Sequence, residues 1–360
     1  MLLGRKIYAD TFCEVHDLLR PWLDGEYWDF ETEPIRPGSI YLVGRQQTLT
    51  NTEKFRHMAL EQDCVMILSN PHEGSKTMAL QVRAMGLEDL AQQKKMLIIG
   101  GGDMDQSWPC LRYDSFLARI LGYQENQDAS QCITDVFAKQ HKPFDFLFLN
   151  GASRPHRRWM MDQLRDCGLL EKALWTNLDR AAGPLNFLPP GYELARYQSN
   201  LVQAQHSEGF VKDTLFGKQW GDVYVNPAPY IDTYFSVITE TIFDYPHSFR
   251  TEKIAKALAI GHPWIAVTNQ GFYRDMHSLG FKTFDTVIDE SFDQVEDNQT
   301  RLHMILSEIR RLCASDLNSF LAAAKPVCKY NQALLKELVP QLRQQFATRF
   351  FNFVLAYTHG

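Results

Sequence analysis

No window of this 360-residue sequence approaches the ~20 consecutive apolar residues that a membrane-spanning helix needs. The opening MLLGRKIYAD carries too short an apolar run for a secretory signal, and charge arrives at Arg5. Cationic excess is missing too: 37 Lys and Arg against 43 Asp and Glu leave a net charge of −6, which argues against electrostatic capture of nucleic acid. The seven cysteines, Cys13, Cys64, Cys110, Cys132, Cys167, Cys313 and Cys328, stand singly, with no CxxC pair and no Cys/His cluster at zinc spacing. They read as buried thiols in a reducing compartment, where the sequon Asn298-Gln299-Thr300 has no use. The triplet Gly100-Gly101-Gly102 lacks the GxGxxG spacing of a dinucleotide cradle, and no Walker lysine follows it. There are no internal repeats and no low-complexity tract.

What is present is alternation. Short apolar runs bounded by Gly, Asn or Asp predict strands over 39–43, 64–68, 96–99 and 144–149, then over 172–176, 234–239 and 263–268. Helical periodicity fills the gaps, as over 51–61 and 76–85. Strand and helix in alternation predict parallel sheets with crossover helices, and the length suffices for two cores. The expected fold is α/β, two Rossmann-like halves facing a cleft: 1–142, 143–325, and a helical tail 326–360 of which 346–357 packs back on the first half. Residues 179–220, rich in Pro, Gly, Asn and Gln, read as loops and short helices over that cleft.

Two blocks carry chemistry. In the first, a strand over 144–149 runs into Asn150-Gly151-Ala152-Ser153-Arg154-Pro155-His156-Arg157-Arg158, a strand, turn and helix N-terminus. Three arginines sit badly against a helix dipole there, so an anion is expected to meet them; a solvated basic patch is the other reading, preferred for Arg158. In the second block, 237–284, a strand end with Glu240 and Thr241 is followed by a polar loop and a helix opening on Arg250-Thr251-Glu252-Lys253. Backbone donors, an ammonium for phosphate and a carboxylate for hydroxyls suit a nucleotide-sugar. An ordinary capped surface helix has the same signature.

The second block resembles the donor-binding part of the fucosyltransferase family: Thr239-Glu240-Thr241, then Phe249-Arg250-Thr251-Glu252-Lys253, Ala257-Leu258, Gly261 and Pro263-Trp264-Ile265-Ala266-Val267 stand in the family's order. The loop after Glu240 is longer than the family's, and Phe249-Arg250 replaces an aromatic and an aliphatic residue. The resemblance covers 144–164 and 237–284. It implies a GT-B architecture, a donor nucleotide held by the C-terminal half, and inverting, metal-independent transfer of a sugar, with a GDP-sugar such as GDP-fucose favoured, to a hydroxyl on a glycan, lipid or protein. In the family an arginine of the helix after the strand meets the donor diphosphate, and Arg157 takes that place. The donor set so implied is Asn150, Arg154, Arg157, Glu240, Thr241, Arg250, Thr251, Glu252 and Lys253, with no metal and no cofactor beyond the nucleotide-sugar co-substrate. The sole DxD-like run, Asp103-Met104-Asp105, lies in the other half. Lacking the family's frequent membrane anchor, the chain is expected to be cytoplasmic or peripheral to a membrane.

The mechanism expected is displacement at the anomeric carbon, with Arg157 and Lys253 stabilising the leaving diphosphate. Glu252 would accept hydrogen bonds from hydroxyls, Glu240 would orient the sugar and Thr251 would cap the helix. Glu73 and Asp103, at the carboxyl ends of strands where ligands of open α/β sheets gather, are the candidates for the catalytic base; turn residues at strand ends are the plainer reading of both. A GT-B-shaped protein that binds nucleotide-sugar without catalysis, as a sensor or host-interaction protein, is the alternative.

Overall fold

The computed structural model describes residues 4–10, 13, 15–44, 51–102, 108–119, 129–150, 154–177, 227–244 and 248–359, with backbone alone at 72–77, 119, 129–131, 177 and 359. It divides into two compact units: Met1–Ala118 with Leu338–Gly360, and Arg119–Glu337. The divisions thus fall at 118 and 337, against the 142 and 325 expected from sequence.

The first unit is built on a five-stranded sheet of β1 (Ile7–Ala9), β2 (Ile40–Gly44), β3 (Val65–Gly74), β4 (Met96–Gly101) and β5 (Cys110–Arg112), in that spatial order and parallel throughout. Its strands are apolar on both faces, and β2 and β4 are buried along their whole length, as a parallel sheet covered on both sides requires. Between β2 and β3 lies α1 (Thr52–Leu60), whose cap Asn51 accepts the Lys54 amide at 3.1 Å. The helix α2 (Ser75–Ala84) follows β3 directly.

Two features of this sheet differ from the reading above. The strands β1 and β5, three residues each and at the two edges, are too short to leave a periodic signature. And β3 does not stop at Leu68: Asn70 pairs with Gly100 and Gly74 with Gly101 across a register shift, since Pro71 has no N–H to give the ladder. The C-terminal residues complete this unit. Phe346 sits edge-on to Tyr113 at 4.9 Å. The Tyr357 hydroxyl lies 2.6 and 2.9 Å from the carbonyls of Ala91 and Met96.

The second unit holds a four-stranded parallel sheet of β6 (Phe144–Asn150), β7 (Ala173–Asn177), β8 (Thr233–Thr239) and β9 (Trp264–Val267), ordered β7-β6-β8-β9. The chain leaves β6 to one side for β7, then returns to the other side for β8, so the strand order reverses between β6 and β8. Before β6 comes α3 (Ala129–Ala138); α4 (Pro155–Asp166) follows β6, α5 (Glu252–Ile260) follows β8, and α6 (Phe272–Ser278) follows β9. Gly261 ends α5 in the left-handed region, φ 75°. A Cβ there would collide with the Ile133 side chain of α3, so glycine serves both the turn and the close approach. The chain then runs into α7 (Asn298–Cys313), capped by Asp297, and the 43-residue α8 (Leu317–His359). No helix among the described residues is long and apolar enough to cross a membrane.

Candidate functional site

In open α/β sheets the crevice outside the carboxyl ends of the strands, at the point where strand order reverses, is where ligands bind. In the second unit that point lies between β6 and β8. The last residue of β6 is Asn150, the last of β8 is Thr239, and Thr239 donates its hydroxyl to the Asn150 side-chain oxygen. The helices that follow these strands, α4 and α5, both bond Glu240 from their amino ends.

The anchor of this edge is Glu240, fully buried at 0% exposure. Its carboxylate accepts the Thr251 amide at 3.3 Å and the Thr251 hydroxyl at 2.6 Å, which fixes the start of α5. Burial pushes the Glu240 carboxyl above its usual range, against the pull of the Lys253 ammonium and the Thr251 hydroxyl. From the other side, α4 holds the Glu240 backbone. His156 Nε2 donates to the Glu240 carbonyl at 2.9 Å, and the Arg157 guanidinium donates to the carbonyls of Thr239 at 3.1 Å and Glu240 at 3.2 Å. His156 also stacks on Phe243, rings 5.0 Å apart. Burial pulls its imidazole down to about 4, so it is neutral at pH 7. Burial lowers the Arg157 pKa as well, helped by the charge of Arg154 and opposed by Glu240 and Glu252.

The cap Thr251 is a relay. Its hydroxyl donates to Glu240 and accepts from the Lys253 amide at 3.3 Å and the Lys253 ammonium at 3.0 Å. The ammonium also lies 3.1 Å from the Glu252 carboxylate, the two side chains being 18% and 25% exposed. For Glu252, burial works to raise the pKa, but the charges of Lys253 and Lys256 outweigh it and hold the group at about 2, ionised. A cation, an anion and the amino end of a helix are thus presented together at one sheet edge.

The residues named from sequence sort by exposure. Asn150, Arg157, Glu240, Arg250 and Thr251 are buried and form the frame, whereas Glu252, Lys253 and Thr241 are partly exposed and Arg154 is exposed at the start of α4. Arg157 and Lys253, 96 positions apart in the chain, meet around Glu240. Arg250 forms an ion pair with Asp275 of α6. On the first sheet, Glu73 lies within β3 with only its backbone described, and Asp103 lies outside the described residues, as do Gly151, Ala152, Ser153 and the 179–220 segment. Among the described residues no cluster of three or more His, Cys, Asp or Glu could hold a metal ion. Sequence reasoning passed over His156 and Arg301. The latter is 2% exposed and donates to the carbonyls of Phe243, Thr268 and Val295, with its guanidinium 4.5 Å over the Phe243 ring. Neither has a local pattern to find it by: His156 acts on the Glu240 carbonyl, and Arg301 on those of Phe243 and Thr268, all remote in sequence.

No family model and no curated protein sequence matches the chain. Among solved structures it is similar to a UDP-forming α,α-trehalose-phosphate synthase from Burkholderia xenovorans, at 10% identity and a TM-score of 0.42 over 89% of this chain and 75% of that one. At that degree of likeness, fold and activity rest on the chain's own geometry.

Proposed function

We propose that the protein is a GT-B glycosyltransferase that moves a sugar from a nucleoside-diphosphate donor, a GDP-sugar such as GDP-fucose being favoured, to a hydroxyl acceptor, with inversion and without a metal. The observation that carries the reading is the meeting of two sequence blocks, 144–164 and 237–284, at the strand-order reversal between β6 and β8. Two parallel-sheet units in one chain support the GT-B architecture. In this reading the diphosphate lies at the amino end of α5, where Lys253 and the helix amides face the charge that grows as the leaving group departs. Arg154 adds a second exposed cation from α4. Arg157 keeps the carboxyl end of β8 in place, and its charge acts on the same spot. Glu252, ionised, accepts hydrogen bonds from ribose or sugar hydroxyls. The acceptor hydroxyl attacks the anomeric carbon as its proton passes to a carboxylate, Glu73 and Asp103 being the candidates, and the nucleoside diphosphate leaves with the bonding electrons.

The test is thermal unfolding with GDP and with UDP. A nucleotide at a hundredfold excess over Kd stabilises by ~2.7 kcal/mol, and Lys253→Ala is expected to remove that shift while keeping the melting behaviour of the free protein. Hydrolysis of GDP- and UDP-sugars with and without a hydroxyl acceptor separates a transferase from a binder. No nucleotide shift in the wild-type protein would remove the assignment.

A further inference from the structure

The start of α5 is tied from two sides. Glu240 holds the cap Thr251 from within the crevice. At the far side Arg250, with 0% of its side chain exposed, forms an ion pair with Asp275 of α6. Ser248 donates its hydroxyl to the same Asp275 oxygen, so two residues within three positions of the cap converge on one carboxylate. That carboxylate is itself well placed. Asp293 accepts the amides of Tyr273 at 3.0 Å and Arg274 at 3.2 Å, capping the first turn of α6 from outside the helix, and Ser278 lies 3.3 Å from the second Asp275 oxygen. The chain of support therefore runs from Asp293 to α6, from Asp275 to Arg250, and from there to Thr251 and the partly exposed Glu252 and Lys253. An ion pair whose arginine is fully buried is costly to break on one side, which makes it suited to hold a backbone segment in one position.

We propose that Arg250 and Asp275 are positioning residues: their ion pair sets the backbone at 248–251 so that Thr251 caps α5 and Lys253 is presented to the ligand, and Arg250 itself touches no ligand. The proposal rests on the reading of this edge as a nucleoside-diphosphate site. It differs from the sequence-based assignment of Arg250 to the donor, and it extends the frame to Asp275, which no sequence pattern singled out.

Two measurements on the full chain decide it. Amide hydrogen exchange over 248–256 without ligand, and calorimetric titration with GDP and with UDP, are compared for the wild type, Asp275→Asn, Arg250→Ala and the double swap Arg250→Asp/Asp275→Arg. Asp275→Asn keeps the side-chain shape, so it serves if the other variants fail to fold. The expected result is at least tenfold faster exchange at the first amides of α5 in both single variants, at least tenfold weaker nucleotide binding, and recovery of most of both losses in the swap. Unchanged exchange in Asp275→Asn overturns the proposal. So does full nucleotide affinity in Asp275→Asn beside its loss in Arg250→Ala, because Arg250 would then be meeting the ligand directly. Should the wild type bind neither nucleotide, the functional reading falls, while the exchange rates still support or overturn the pair.

Discussion

The two sheets are both parallel, yet their carboxyl edges are not equivalent. In the first, each strand is laid beside its predecessor in the order β1-β2-β3-β4-β5, whereas in the second the order β7-β6-β8-β9 reverses after β7. A reversal of strand order is where open α/β sheets form a ligand crevice, and only the second sheet has one. Residue types at the two edges are alike: Asn70 and Gly100-Gly101 on one, Asn150 on the other. Composition cannot distinguish them. Strand order can, and it gathers Arg157, Glu240, Thr251, Glu252 and Lys253 at the second edge alone.

The comparison can be broken most sharply at the first edge. If the catalytic base lies there, Glu73→Ala or Asp103→Ala lowers kcat by ~10²–10⁴ while nucleotide binding at the second edge is unchanged; steady-state kinetics beside calorimetry checks this, and normal turnover in both variants removes that edge from the reaction. At the second edge, Arg157→Ala strands the buried carbonyls of Thr239 and Glu240 and is expected to cost ~3 kcal/mol of stability in urea unfolding, with Glu240→Ala next at ~2 kcal/mol through the orphaned Thr251 amide and hydroxyl.

Acid should loosen the same edge. His156 has its pKa lowered to about 4 in the fold from ~6.5 when unfolded, so below pH 6.5 the unfolded chain binds the extra proton and stability falls with pH. From pH 7 to pH 5 the loss is ~2 kcal/mol. Glu290, raised by burial to about 7, works in the opposite sense over that range, so the clean measurement is the difference between wild type and His156→Gln, whose acid limb should be flatter. The smallest structural effect belongs to Lys253→Ala. Its partly exposed pair with Glu252 is worth ~0.5 kcal/mol, so unfolding should barely change even as nucleotide affinity drops, and a large stability loss would assign Lys253 to the frame.

Much of this was written locally. Seven of the nine strands among the described residues announce themselves as apolar runs, and Thr251 followed by Glu252 marks a helix start that the cap bond to the Lys253 amide realises. The limits are just as physical. Pro71 did not end β3, because a register shift lets the ladder resume at Gly74. Arg250, adjacent in sequence to the site, pairs with Asp275 of a later helix, while His156 and Arg301 bond carbonyl groups that no residue type advertises.

Periodicity, caps and turn residues act over a few positions, so the sequence alone determined the α/β alternation, the amino end of α5 and the presence of cations in both blocks. Which cations would meet, which would be buried as frame and which left partly open depended on the order in which β6, β7 and β8 lie side by side. That order is a property of long-range pairing, settled when distant segments bury their apolar faces together, and only the tertiary structure could decide it.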